Sequence, residues 1–214
     1  MKERLYIVML AAGPSSRMGR QNKMLLPYCG IPMVTHCCMQ ALSFLERHSE
    51  QTGEPCTLVV VTGYRRLSVE KALKPCRDFI GKTGAKLEMI VVKNPDYRKG
   101  QFTSAKTGVA QIEDGSPFFI SLADMPLIGA ENYEKLVHLL GNHDAVRPFL
   151  QNGEDKVPGH PVLHSSGLKE RILQCPDDWT VSRILRQCDV VEPLFADSSW
   201  VKDIDIPEDY VPFS

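Results

Sequence analysis

Ile7-Val8-Met9-Leu10-Ala11-Ala12-Gly13-Pro14-Ser15-Ser16-Arg17-Met18-Gly19-Arg20-Gln21-Asn22-Lys23-Met24-Leu25-Leu26-Pro27 passes from a short apolar run into a turn of small residues that carries Arg17 and Lys23. The run from Leu5 to Leu10 predicts a buried strand. Gly13 can take backbone angles that a Cβ resists, so the chain beyond it can curl tightly. Backbone N–H groups turned inward form an anion-binding concavity, and a guanidinium and an ammonium add charge-assisted hydrogen bonds. A turn so built can hold a nucleoside triphosphate. Gly13 and Gly19 fit neither G-x-G-x-x-G nor G-x-x-x-x-G-K-[ST]. What remains is a third type of phosphate loop, or an ordinary strand-to-helix turn with solvated basic residues.

Outward from this stretch, apolar strand-like runs alternate with helical patterns. A helix is expected over Met33 to Arg47, a strand over Thr57 to Thr62, a helix over Ser68 to Lys74 and a strand over Leu87 to Val92. The rhythm continues with a helix over Thr103 to Ile112, a strand over Phe118 to Leu122, a helix over Glu131 to Leu140 and a short strand over Asp144 to Pro148. Gln151 to Val157 reads as an exposed polar loop. Such βαβ alternation predicts a mostly parallel sheet covered on both faces, with ligands gathered beyond the carboxyl ends of the strands. Thr62-Gly63, Asn94-Pro95 and Ala123-Asp124-Met125-Pro126 all follow strands, as the first loop does.

Composition narrows the classes. A chain of 214 residues that is 43% hydrophobic and 24% charged fits one globular domain over 1–214. A net charge of −1 leaves no basic excess for nucleic acid. The first apolar stretch is too short, and too soon interrupted by Arg17, for a signal peptide or a membrane span, so a cytoplasmic protein with no membrane partner is expected. Seven cysteines with no C-x-x-C pair argue for reduced, mostly buried thiols rather than a disulfide framework or a zinc site.

Three carboxylates stand where a metal could be held. Asp124, just past an apolar strand, could coordinate a hard divalent cation, Mg²⁺ foremost, or could cap a helix starting near Ile128. Asp203 and Asp205, two apart, point to one face in extended chain. One or both could complete the metal site, and the same stretch suits a turn before a helix begun by Pro207-Glu208-Asp209.

Taken together these segments resemble the MobA-like nucleotidyltransferases, most closely the molybdenum cofactor cytidylyltransferase branch. The resemblance rests on Leu10-Ala11-Ala12-Gly13-Pro14-Ser15-Ser16-Arg17-Met18-Gly19 with Lys23, and on Asn94-Pro95-Asp96-Tyr97 with Gly100 and Ser104. Leu122-Ala123-Asp124-Met125-Pro126, Gly159-His160-Pro161-Val162-Leu163 and Asp203-Ile204-Asp205 extend it over nearly the whole chain. It implies a three-layer α/β/α Rossmann-like fold, its sheet mostly parallel with one antiparallel strand.

The resemblance also implies a reaction. A nucleoside triphosphate bound with Mg²⁺, or with Mn²⁺ in its place, is attacked at its α-phosphorus by a phosphate of a molybdopterin-type acceptor, and pyrophosphate leaves. Arg17 and Lys23 would bind the triphosphate, Lys23 would stabilise the transition state, and Asp124 and Asp205 would hold the metal with Asp203 beside them. The guanine-using branch carries Gly-Gly where Ala12-Gly13 stands here, and the extra methyl favours CTP. The base would meet the backbone near Leu10, Ala11 and Ala12, with Thr62-Gly63 and Ser104. His160 would face the acceptor or serve as a buried structural histidine, and the other five histidines read as structural.

Two segments depart from the family pattern. Gln101-Phe102-Thr103-Ser104 replaces a more serine-rich stretch, and Asp178-Trp179-Thr180-Val181-Ser182-Arg183 replaces Gly-Asp-x-Gly-x-Arg. Trp179 could stack on a pterin or belong to the core. The implied enzyme would mature a molybdenum hydroxylase apoenzyme. Two alternatives stand beside it: a non-catalytic protein that delivers the cofactor, and transfer to another acceptor such as a sugar phosphate.

Overall fold

The computed structural model describes residues 4–13, 22–153 and 155–203. The apolar run at the start becomes β1 (Leu5–Ala11), and the chain is picked up again at a 3-10 turn over Lys23–Leu25. A small hairpin follows, β2 (Pro27–Tyr28) and β3 (Ile31–Pro32), and then α1 (Met33–Thr52) and β4 (Cys56–Thr62). Next come α2 (Arg66–Ala72), α3 (Lys74–Ile80), β5 (Leu87–Lys93), α4 (Gln101–Val109), β6 (Phe118–Leu122) and α5 (Ala130–Val137). The second half holds β7 (Ala145–Val146), β8 (Phe149–Asn152), β9 (Asp155–Pro158), β10 (Val162–His164) and α6 (Leu168–Gln174). It closes with α7 (Val181–Leu185), β11 (Val190–Val191) and β12 (Leu194–Phe195).

Seven strands form one sheet in the order β11-β7-β10-β6-β1-β4-β5. Only β10 runs against its neighbours β6 and β7, which gives the expected parallel sheet with one antiparallel strand. Every residue of β1 and β4 is buried, as a sheet covered on both faces requires. Side chains alternate along β1. Ile7, Met9 and Ala11 join α1, α3 and α5 on one face, while Tyr6, Val8 and Leu10 join α4, α6 and α7 on the other. Close approach of α4 depends on Gly108, where an added Cβ would lie 2.2 Å from Val8 Cγ1 and 2.8 Å from Val61 Cγ2.

Several boundaries differ from expectation. Helix α1 continues past Arg47 to Thr52 and stops at Gly53, whose φ of 74° turns its N–H onto the Ser49 carbonyl. The helix expected over Ser68 to Lys74 is α2, which ends at Ala72, and an unexpected helix, α3, follows it after Leu73, because Pro75 in its first turn has no N–H to carry α2 onward. Gln151 to Val157 is not a loop but most of an antiparallel hairpin, with Gln151 paired to Lys156 and Leu150 to Val157. All of β9 is exposed, so no apolar alternation marked it. All seven cysteines are free and five are buried. Among the described residues no helix is long and apolar enough to cross a membrane.

Candidate active site

Strand β1 lies between β4 and β6, with later strands added outward on both sides, so the crevice beyond its carboxyl end is the switch point of the sheet. The Leu10 carbonyl accepts from Ala123 N (3.1 Å), and the Ala12 carbonyl accepts from Tyr64 N (3.2 Å). These bonds hold the exits of β1, β4 and β6 together. Gly13 is exposed, with no left-handed angle, and among the described residues nothing lies within 4 Å of an added Cβ. Ser15, Ser16, Arg17 and Asp205 lie outside the described residues.

Lys23 re-enters beneath this crevice. Asn22 accepts from Met24 N (3.0 Å) and donates to the Tyr64 carbonyl (3.3 Å), which fixes the 3-10 turn beside the end of β4. Lys23 Nζ then meets Asp124 Oδ2 at 2.5 Å, with side chains only 9% and 18% exposed. The Asp124 loop is gripped from α1: His36 Nε2 lies 3.1 Å from the Pro126 carbonyl, and Cys37 Sγ donates to the Ala123 carbonyl at 3.4 Å.

Asp124 does not cap a helix. Helix α5 begins at Ala130, and its first turn is closed by Gly129 N donating to Asn132 Oδ1 (2.9 Å). Asp124 Oδ1 is buried and makes no hydrogen bond among the described residues. A buried carboxylate oxygen with no partner is costly unless something supplies one, and a hard divalent cation would.

Other expected contacts are satisfied within the protein. Asn94 is buried, donating to Thr103 Oγ1 and Ser104 Oγ at 2.9 Å each and accepting from Asp96 N at 2.8 Å. This clamps the exit of β5 to the start of α4, with the Ser104 hydroxyl oxygen accepting from Asn94. Thr62 is equally enclosed, its hydroxyl donating to the Val92 carbonyl at 3.2 Å. Gly63 is sterically required, because a Cβ there would lie 2.8 Å from both Ala12 O and Tyr97 Cβ. Ala11 and Ala12 are buried, and Leu10 reaches a cavity wall.

That cavity, about 400 Å³, opens on the α4 and α7 side of the sheet. Gly100, at φ 129°, lies on its rim, and Phe102, Ile120, Leu122 and Val162 make much of its wall. His160 lines it too, and its N–H is bonded to the Trp200 carbonyl (2.8 Å). Desolvation, with Arg147 nearby, pushes the His160 pKa down to about 4, while the Ile120 backbone and the Asp124 charge act in the opposite direction. The ring is therefore neutral at pH 7.

The segment through Trp200 thus passes beside His160, which itself feels the charge of Asp124. Asp203 is exposed, at the last described position. Among the described residues no three His, Cys, Asp or Glu side chains cluster as a metal site. Arg147, which lines the cavity, was not foreseen from sequence. Its signal was its place directly after the short strand β7, the same rule that singled out Asp124.

The family model of the MobA-like NTP transferase domain matches residues 7–191. This chain belongs to that family. As a MobA-like NTP transferase it is an enzyme, a nucleotidyltransferase. It is 28% identical over 204 residues to the molybdenum cofactor cytidylyltransferase of Escherichia coli, covering 95% of this chain and 92% of that one. It is 25% identical over 182 residues to the bifunctional protein GlmU of Cupriavidus pinatubonensis, 85% of this chain against 36% of GlmU. A nucleotidyl transferase from Methanothermobacter has the same fold, with a TM-score of 0.70 at 21% identity, covering 96% of this chain and 94% of that one.

Proposed function

We propose that this MobA-like NTP transferase catalyses transfer of CMP from CTP to a molybdopterin-type phosphate acceptor, with Mg²⁺ and release of pyrophosphate, in maturation of a molybdenum hydroxylase. The observation that carries the reading is the Lys23–Asp124 pair at the sheet's switch point, with Asp124 Oδ1 left over. The name of the Escherichia coli relative supports the choice of acceptor and nucleotide. So does Ala12, whose methyl stands where the guanine-using branch has glycine.

An acceptor phosphate oxygen forms a new bond to the α-phosphorus of CTP. The bond from that phosphorus to its bridging oxygen breaks, and its electron pair leaves with pyrophosphate. Transfer of this kind depends on positioning and on neutralising charge as it builds. Lys23, buried and fixed by the Asn22 turn, supplies a permanent cation at the crevice, and in the complex its ammonium passes from Asp124 to the phosphates. Asp124 fits Mg²⁺ as a hard oxygen donor with an unspent lone pair, and Mg²⁺ is commonly held by one or two carboxylates together with substrate phosphates. When bound, the metal would polarise the triphosphate and offset its charge. Arg17 on the triphosphate, Asp205 as second metal ligand and Asp203 beside it complete the proposed site.

The test is α-labelled CTP with reduced cofactor and purified protein. The expected result is labelled cofactor and stoichiometric pyrophosphate, both requiring the metal. No pyrophosphate with either Mg²⁺ or Mn²⁺ would falsify the proposal.

A further inference from the structure

The cavity on the α4 and α7 side of the sheet carries two side chains, Trp179 and Arg147, to which the proposed nucleotide site gives no role. Trp179 lines it, and the Arg183 guanidinium carbon sits 4.1 Å from the centre of the Trp179 ring, which holds the indole in place. Much of the remaining wall is apolar, from Leu10, Phe102, Ile120, Leu122, Val162 and Leu185. Hydroxyl-rich guests need several hydrogen-bonding partners to replace water, which this apolar part of the wall lacks, the polar lining being Gln101, Thr180 and Ser182 with the charged groups. Planar, largely apolar guests suit it.

Four charged side chains line the cavity: Lys99, Asp177 and Asp178 are exposed, and Arg147 is half-buried. Arg147 lines the cavity and also a second one of about 280 Å³ that shares Ser182 and Leu185 with it. Its Nε is buried without a hydrogen-bond partner, and the guanidinium makes no ion pair among the described residues. Burial lowers its pKa, with Arg186 acting the same way and exposed Glu192 opposing. Arg147 as a whole is half-buried, and a buried N–H left without a partner is costly. His160 lies on the same cavity with Nδ1 buried and unpartnered, within electrostatic range of both Arg147 and Asp124.

We propose that Trp179 and Arg147 select the acceptor, Trp179 as a stacking platform for a planar heterocycle and Arg147, with His160, as the anchor for its phosphate. The acceptor class is a phosphorylated flat ring, as opposed to a polyol phosphate. This rests on the transferase reading for the cavity being the acceptor side. A guanidinium meets phosphate through two parallel N–H donors, a geometry that an ammonium does not reproduce.

Calorimetry with neopterin monophosphate, neopterin and glycerol 3-phosphate tests it. Neopterin monophosphate is expected to bind at least tenfold more tightly than neopterin, and glycerol 3-phosphate not to compete. Arg147→Ala should erase the preference for the phosphorylated pterin, and Arg147→Lys should restore only part of it. Trp179→Leu should lose both pterins and Trp179→Phe should keep them. The CTP-induced thermal shift of each variant reports whether it is folded.

Tryptophan fluorescence gives a second readout, because the chain has two tryptophans and Trp200 is fully buried against Phe195. Quenching by the pterin should therefore vanish in Trp179→Phe. Equal affinity for neopterin and its phosphate, an unchanged preference in Arg147→Ala, or glycerol 3-phosphate binding as tightly would overturn the inference. Pterin phosphate bound without any CTP response would sink the transferase reading and leave the cavity assignment standing. CTP bound without pterin phosphate would do the reverse.

Discussion

Replacing Lys23 by Met or Asp124 by Asn removes one charge of the central pair and keeps most of the volume. Unit charges 2.5 Å apart attract by about 7 kcal/mol at an effective dielectric constant of about 20. Most of that is cancelled by the cost of desolvating both groups. Breaking a fully buried pair from one side costs about 3–5 kcal/mol, because the other charge is stranded. Water still reaches 18% of the Asp124 side chain, so each single variant should lose about 2–3 kcal/mol. Stranding is relieved when both are changed, and the double variant should be less destabilised than the sum by about 2 kcal/mol. Urea unfolding of the four proteins measures this as shifts in midpoint at constant slope. Additive losses, or single variants within about 0.5 kcal/mol of the parent, would refute the view that the pair is desolvated and coupled.

Three further outcomes follow from the same structure. Asn94→Ala removes two hydrogen bonds to α4 and one from Asp96 N and should cost about 2–3 kcal/mol in urea unfolding; a loss below about 0.5 kcal/mol contradicts the clamp. Gly108→Ala forces a Cβ into Val8 and Val61 and should lower the melting temperature by about 3–10 °C, a shift that an unchanged melting curve would disprove. His164 is fully buried against Phe118, and burial pushes its pKa down to about 3. The unfolded chain takes up that proton near pH 6.5, so stability is complete above pH 6.5. It should fall by about 1.4 kcal/mol per pH unit per histidine as the solution is acidified toward pH 4, with His160 adding a second proton. His164→Phe should flatten that slope by one proton, and an identical slope would show that the ring is not held neutral.

Much of this molecule could be read from its residues, because its central strands are uniform apolar runs that end in small or polar residues. β1, β4, β5 and β6 were found for that reason, and so was Asp124 as a carboxylate at a strand exit. Elements fixed by tertiary pairing were not legible. The β8–β9 hairpin carries no buried face, and β10 and β11 are too short to show a period. α3 was hidden because Leu73 interrupts a helical pattern that resumes at once.

Within the site, Asn94 and Ser104 were expected to meet the ligand, but sequence could not say that they hydrogen-bond to each other. Nor could it tell whether Asp124 capped a helix, which depended on Gly129 and Asn132 doing so instead. Arg147 escaped because its cavity is assembled from β1, β6, β10, α4 and the segment after α6, residues far apart in the chain.

The central claim is that Lys23 and Asp124 bind a metal-bearing triphosphate at the end of β1. Titrating CTP into the parent protein and into Asp124→Asn, each with and without Mg²⁺, tests it most directly. Mg²⁺ should tighten CTP binding at least about tenfold in the parent, roughly 1.4 kcal/mol, and leave Asp124→Asn nearly unaffected. Equal Mg²⁺ dependence in the two proteins would contradict it.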